Sequence, residues 1–176
     1  MKIYDLIDPE WCANNNFDAA VALVYDYRDR EIILVERREV EGDPWSGHIA
    51  LPGGRREISD LNSYTTSLRE LVEEISIDVR KILHVGGMKI YITRKSVRVV
   101  PHIYLFLSDD KSIYWNESEI KVAKWVSIED LVEIECPNNY TPRCFKTSYF
   151  NKIVWGLTGR IIGDFIDMMR HERSER

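Results

Sequence analysis

The chain of 176 residues contains no glutamine and only three cysteines, Cys12, Cys136 and Cys144. No two of them form a CxxC pair, so their spacing gives neither a thiolate metal site nor a redox motif. Reduced structural thiols are the expectation. No apolar run reaches ~18 residues, so no membrane-spanning helix is expected. The first residues, Met1-Lys2-Ile3-Tyr4-Asp5, lack the basic-then-apolar order of a signal peptide, and a cytoplasmic protein is expected. An excess of basic charge is missing too. The formal net charge is -5, which argues against a dedicated nucleic-acid binder, whose footprint is basic. An acidic site can still meet phosphates through bound metal. Without repeats, low-complexity segments or linkers, residues 1–176 read as one domain with a core from about 17 to 170. The missing glutamine, beside plentiful Ile, Glu, Lys and Arg, is a bias shared with heat-adapted proteins.

What is present is enough apolar sequence for a packed core, 44% of residues against 30% charged. Residues 17–25 read as a buried strand, and Arg28-Asp29-Arg30 turns the chain into a hairpin partner at Glu31–Arg37. A short strand at His48–Leu51 runs into Pro52-Gly53-Gly54. A helix follows, capped by Asn62 or Ser63, with Leu68, Leu71, Val72 and Ile75 as its apolar stripe. Strands are then expected at 88–92, 97–106 and 124–126, a short helix at 127–131, and a last helix from about Phe150 to Met169 with Trp155 in the core. Strands interleaved with helices give an α/β or α+β fold, a mixed β-sheet between helices.

The densest chemistry lies in Gly53-Gly54-Arg55-Arg56 and the helix residues Arg69-Glu70-Leu71-Val72-Glu73-Glu74. Spacings of three and four put Glu70, Glu73 and Glu74 about one turn apart, where like charges repel by a few tenths of a kcal/mol per pair. A solvated helix face with Arg69 as a salt-bridge partner is one reading. The other is a hard cation, Mg²⁺ or Mn²⁺, held by carboxylate oxygens while substrate phosphates and waters complete its shell. Gly53 then offers a backbone carbonyl as a further ligand, since glycine lets the backbone approach closely. Arg69 orients or partly neutralises a carboxylate.

The segment from Gly54 to Ile77 resembles the Nudix box, G-x5-E-x7-R-E-U-x-E-E-x-G-U with U aliphatic, through Gly54, Arg69, Glu70, Leu71, Glu73, Glu74 and Ile77. Asp60 stands in place of the first Glu, eight residues separate it from Arg69, and Ser76 replaces the late glycine. Losing that glycine should affect the turn ending the helix more than the chemistry. The first two departures resemble the coenzyme A diphosphatase-like branch, with P-G-G-x5-D-x8-R-E-x2-E-E. Arg38, Gly47, Pro52, Gly53 and Gly54 fit its upstream signature, while Asp43 reverses the charge of an arginine there. Farther on, Val97–Ile103, Asn116–Ile120 and the stretch around Trp155-Gly156 are similar to other parts of the branch.

The resemblance implies an α/β/α sandwich and a pyrophosphohydrolase that cleaves a nucleoside diphosphate linked to another moiety. Coenzyme A is one such substrate; ADP-ribose, dinucleotides and nucleoside triphosphates are others. It implies metal ligation by Gly53, Glu70, Glu73 and Glu74, with Glu70, Glu74 and Arg69 in the catalytic set. Glu117 or Glu119 corresponds to a loop carboxylate that joins the metal or acts as base, beside the plainer reading of an exposed turn. Arg37, Arg38, Gly54 and Arg55 are the candidates for binding phosphate. Arg56 is a further candidate for the diphosphate; Trp45 reads as packing, with stacking on a base as the alternative, and His48 reads as structural or surface. An isopentenyl diphosphate isomerase-like enzyme and a non-catalytic nucleotide-binding module are the alternatives from other classes. A homodimer is compatible with the sequence.

Overall fold

The computed structural model describes residues 7–8, 10–11, 15–42, 46–137 and 143–174, with 171–174 as helical backbone only. Cys12, Asp43 and Trp45, singled out above, lie outside the described residues.

Two strands, β1 (Ala19–Asp26) and β2 (Glu31–Arg37), form the expected antiparallel hairpin. β3 (Ile49–Ala50) pairs with β2, and β4 (Gly53–Arg55) folds back onto β1. Helix α1 spans Ser63–Ile75. After a 3₁₀ turn come β5 (Ile82–Gly87), β6 (Tyr91–Ile92) and β7 (Arg98–Phe106). β8 (Ile120–Ser127) completes the main sheet, whose path is β3-β2-β1-β7-β5, with β4 beside β1, β6 beside β7 and β8 beside β2. The β1–β7 pair is parallel and the others are antiparallel, so the sheet is mixed. β9 (Val132–Ile134) and β10 (Cys144–Lys146) form a separate ribbon before α2 (Gly156–Ser174).

The central strands are apolar along their whole length because both sheet faces are covered. Alternation then sorts their residues. Leu23, Tyr25, Ile32 and Leu34 share one core with Ile161, Ile162, Phe165 and Ile166 of α2. Ala22, Val24, Ile33 and Val35 face the other way, onto Leu71 and Ile75 of α1. Helices on opposite faces of one mixed sheet make the expected α/β/α sandwich. No helix among the described residues is long and apolar enough to cross a membrane.

Several expectations are corrected. Val72 is exposed, and the buried face of α1 instead includes Ser63, Thr66, Ser67 and Glu74. The last helix starts at Gly156 rather than near Phe150, because Phe145 and Val154 exchange backbone hydrogen bonds of 2.8 and 2.9 Å that hold Val154 in an isolated bridge, after turns and bends over residues 148–152. Residues 128–130 form a turn, not a helix, with Ile128 N–H donating to Arg30 O at 2.9 Å. The strand expected at 88–92 is an isolated bridge at Met88 followed by the two residues of β6. β5 escaped notice because Gly86 and Gly87 and a register shift interrupt its alternation. Cys136 and Cys144 are joined as a disulfide rather than left as thiols. Pairing Cys144 opposite Ile134 brings the two Cα atoms to 5.3 Å, a separation that a disulfide spans and that sequence spacing does not reveal.

Candidate active site

Helix α1 begins where it must. Asn62 accepts from Thr65 N–H at 3.0 Å while Thr65 Oγ1 accepts from Asn62 N–H at 3.1 Å, a reciprocal cap that satisfies two otherwise orphan donors. It ends at Ser76, whose φ of 48° is left-handed and whose N–H donates to Val72 O at 2.9 Å. The turn usually made by glycine is therefore retained by a serine, at a cost of about 1 kcal/mol.

Between these caps the glutamates separate. Glu74 is 1% exposed and Glu73 is exposed, since neighbouring helix positions lie about 100° apart. Glu74 Oε2 accepts from Gly53 N–H at 3.0 Å, and Arg37 Nη1 lies 3.4 Å from its other oxygen. Arg37 stands where the β2–β8 register shifts, and such irregularities re-aim side chains next to sites. Glu70 lies against Gly54, where a Cβ would come within 2.6 Å of the Glu70 carboxyl carbon. Gly53 is equally confined: its φ is +155°, and a Cβ there would meet Val21 Cα at 2.6 Å. Both glycines are thus required by the close approach of strand, helix and carboxylates.

Burial pushes the Glu74 carboxyl up to about 7, against the opposing Gly53 N–H and Arg37, while Glu70 and Glu119 add repulsion. Burial also raises Glu70; Arg69 opposes the shift, and Glu73 and Glu119 reinforce it. Glu119 is exposed and accepts from Asn116 Nδ2 at 3.0 Å. Its loop is tied to the helix by Asn116 N–H donating to Glu74 O at 2.9 Å. Glu117, also exposed, uses its carbonyl to receive the Arg38 guanidinium.

Arg69 joins the loop to the helix. Its guanidinium reaches Glu70 and Glu73, both at 2.9 Å, Arg55 O at 2.9 Å and Asp60 at 3.0 Å. Asp60, nearly buried, also accepts from Glu57 N–H and Thr66 Oγ1. Burial alone would raise its pKa, but Arg69 and these donors hold the carboxyl below the usual range. Asp60 is therefore a charged anchor for the loop, a role Asp can fill in place of the longer Glu.

A cleft of about 440 Å³ opens beside this corner, lined by Arg37, Gly53, Gly54 and Arg55 together with His48 and Trp155. Arg38, expected with the phosphate binders, is instead drawn to the 116–119 loop. Arg56 is held by Asn15 O and lies over the Phe17 ring. Trp155 is 38% exposed rather than core, with its ring centroid 4.7 Å from that of His48. Thr93 and Thr158, not singled out in the sequence, also line the cleft. Only the Trp155-Gly156 break before a helix could have signalled this wall.

Among the described residues no three His, Cys, Asp or Glu side chains converge as a ready cation cage. Glu70 and Glu74 nonetheless suit a divalent ion that keeps waters and substrate phosphates in its shell, because one or two carboxylates suffice for it. Burial raises both carboxyls and repulsion from neighbouring carboxylates adds to it, a charge burden that a cation would relieve.

The chain thus presents a carboxylate pair against a glycine strand beside an open cleft. It belongs to the Nudix family, the model of the NUDIX domain matching residues 16–143. An uncharacterized Schizosaccharomyces pombe protein is 32% identical over 128 residues, 67% of this chain but 39% of that protein. An uncharacterized Nudix hydrolase, NudL, of Photorhabdus laumondii is 26% identical, with 88% of this chain and 86% of that one covered. The crystal structure of a MutT/nudix family protein from Enterococcus faecalis shares the fold at a TM-score of 0.53 and 15% identity, covering 90% of this chain and 62% of that one. The chain thus carries a Nudix hydrolase domain.

Proposed function

We propose that this domain is a pyrophosphohydrolase, dependent on Mg²⁺ or Mn²⁺, that cleaves a nucleoside diphosphate linked to another moiety. The observation that carries the reading is the Glu70–Glu74 pair, pressed against Gly54 and Gly53 at the wall of the cleft. In this reading Glu70 and Glu74 hold the cation, with the Gly53 carbonyl and, when it swings inward, Glu73 as further ligands. When bound, the cation neutralises phosphate charge and lowers the pKa of the attacking water.

The remaining steps fall to the chain's own groups. Arg37 and Arg55 face the cleft and neutralise the diphosphate, and the Gly53–Gly54 backbone allows it to approach closely. Arg69 keeps the helix and the glycine strand in register and so positions Glu70. Water attacks one phosphorus in line, the bridging P–O bond on the opposite side breaks and the second phosphate leaves with its electron pair, and the water's proton passes to a carboxylate. Glu119 suits that task better than Glu117, because both stand in solvent but the Glu119 charge acts on Glu70 and Glu74 alike.

Coenzyme A is one candidate substrate, on the Asp60 spacing and the signature around Arg38; ADP-ribose, dinucleotides and nucleoside triphosphates are the others. A product-resolved screen of these four classes with Mg²⁺ and Mn²⁺ tests the proposal. Metal-dependent release of two phosphate-bearing products from at least one class is expected. Binding without turnover in every class would reduce the domain to a nucleotide-binding module.

A further inference from the structure

Trp155 is a large aromatic that stands, 38% exposed, in the wall of the cleft rather than in the core. The residues around it in sequence are committed elsewhere: Val154 is buried in the core, and Gly156 at φ +67° turns the chain into α2. The indole is left partly exposed in a concave wall, against His48 at an interplanar angle of 61°. An edge-on contact of this kind uses one ring's edge and the other's face, so each ring retains at least one face outside it. A surface indole in a cleft of this size, within the range of small-molecule sites, is an apolar platform for a planar ligand group.

The platform is continuous with the phosphate end. The same cleft is walled by Arg37, Gly53 and Gly54, against which the two carboxylates of α1 are pressed. Arg37 N–H donates to His48 O at 3.0 Å, and Lys152 Nζ donates to Gly47 O at 2.9 Å. Lys152 also pairs with buried Glu36 at 2.9 Å. The segment bearing His48 is thereby fixed to the strand bearing Arg37. Valines 21, 97 and 99 supply apolar surface in the cleft, which suits a ring rather than a second charged group.

We propose that Trp155, seated against His48, is the stacking face for the nucleobase of the substrate, with the diphosphate running from there toward Arg37 and Gly53. This rests on the nucleoside-diphosphate reading above and adds which end of the ligand lies where. Every nucleobase has a π-face, so stacking selects for the presence of a base more than for its identity.

The test measures binding without turnover, so that it stands apart from the hydrolysis screen. Calorimetric titration of the full chain with AMP, GMP, CMP and UMP, and with ribose 5-phosphate as the base-free control, gives the affinities. Trp155→Ala is expected to weaken the best-bound nucleotide about tenfold, while ribose 5-phosphate changes less than twofold. Trp155→Phe should recover most of the loss, since it restores a ring. Circular dichroism checks that both variants fold, and Trp155→Phe keeps the test readable should alanine disturb α2. Equal affinity of wild type and Trp155→Ala for every nucleotide would overturn the proposal. So would wild type binding no nucleotide more tightly than ribose 5-phosphate. If bases bind through Trp155 but no diphosphate is cleaved, the hydrolase reading fails and the stacking site stands.

Discussion

Replacing Gly54 by alanine puts a methyl group where Glu70 keeps its carboxylate. The new Cβ would lie 2.6 Å from Glu70 Cδ, whereas ordinary contact begins at 3.4 Å, so the group must withdraw by at least about 0.8 Å. A misplacement near 1 Å in a reacting constellation costs about a hundredfold in rate. Folding is affected far less. Glu70 is a flexible side chain, and Gly54 has none of the left-handed backbone that confines Gly53. A stability change within about 1 kcal/mol is expected, beside a fall in kcat/KM of about a hundredfold and a higher Mg²⁺ concentration for half-maximal rate. Initial rates across a metal titration, together with thermal unfolding, read both quantities. Wild-type kcat/KM and metal dependence in a folded Gly54→Ala protein would refute the argument that Glu70 must stay against this glycine.

Two further predictions concern stability. Ser76→Gly relieves the left-handed serine at the end of α1 and should stabilise by about 1 kcal/mol, read from denaturant midpoints; a destabilised variant would contradict the strain. His102 is fully buried, with Nδ1 2.9 Å from His84 Nε2 and Nε2 2.9 Å from Ser63 Oγ. Burial, with repulsion from His84, pushes its pKa down to about 3, so the native state binds its proton less readily than the unfolded chain does. The contribution of neutral His102 is fully present above the unfolded value near 6.5 and is lost as pH falls toward 3, about 2–3 kcal/mol by pH 4.5. Urea unfolding between pH 7 and 4.5 should therefore show a shallower loss for His102→Asn than for wild type, and parallel curves would exclude His102 as the cause.

The glutamate helix was legible in the sequence, but its division of labour was not. Residues Glu70, Glu73 and Glu74 share a face on a helical wheel, yet only docking against the sheet shows which side of that face is covered. The covered side runs through Ser67, Leu71, Glu74 and Ile75, so Glu74 is enclosed and Glu73 turns out to Arg69. Asp60 could be seen as a departure from the box, whereas its anchoring of Arg69 needed the loop's path. The long strands were legible as apolar runs, whereas which of their residues face α1 and which face α2 needed the structure. β5 did not, because two adjacent glycines erase the pattern. Trp155 was misread for a general reason: apolar character marks a core wall and a cleft wall alike, and only topology distinguishes them.

The central claim is that the carboxylate pair of α1 is the working centre of a metal-dependent diphosphate hydrolase. Its most direct test is product formation by wild type and Glu74→Gln from the best substrate of the screen, with and without Mg²⁺ or Mn²⁺. Gln can still accept the Gly53 hydrogen bond that Glu74 Oε2 receives, so the fold should persist with near-native thermal unfolding. The expected result is metal-dependent cleavage by wild type and loss of about a hundredfold or more in the variant. Full activity in folded Glu74→Gln, or cleavage by wild type indifferent to metal, would contradict it.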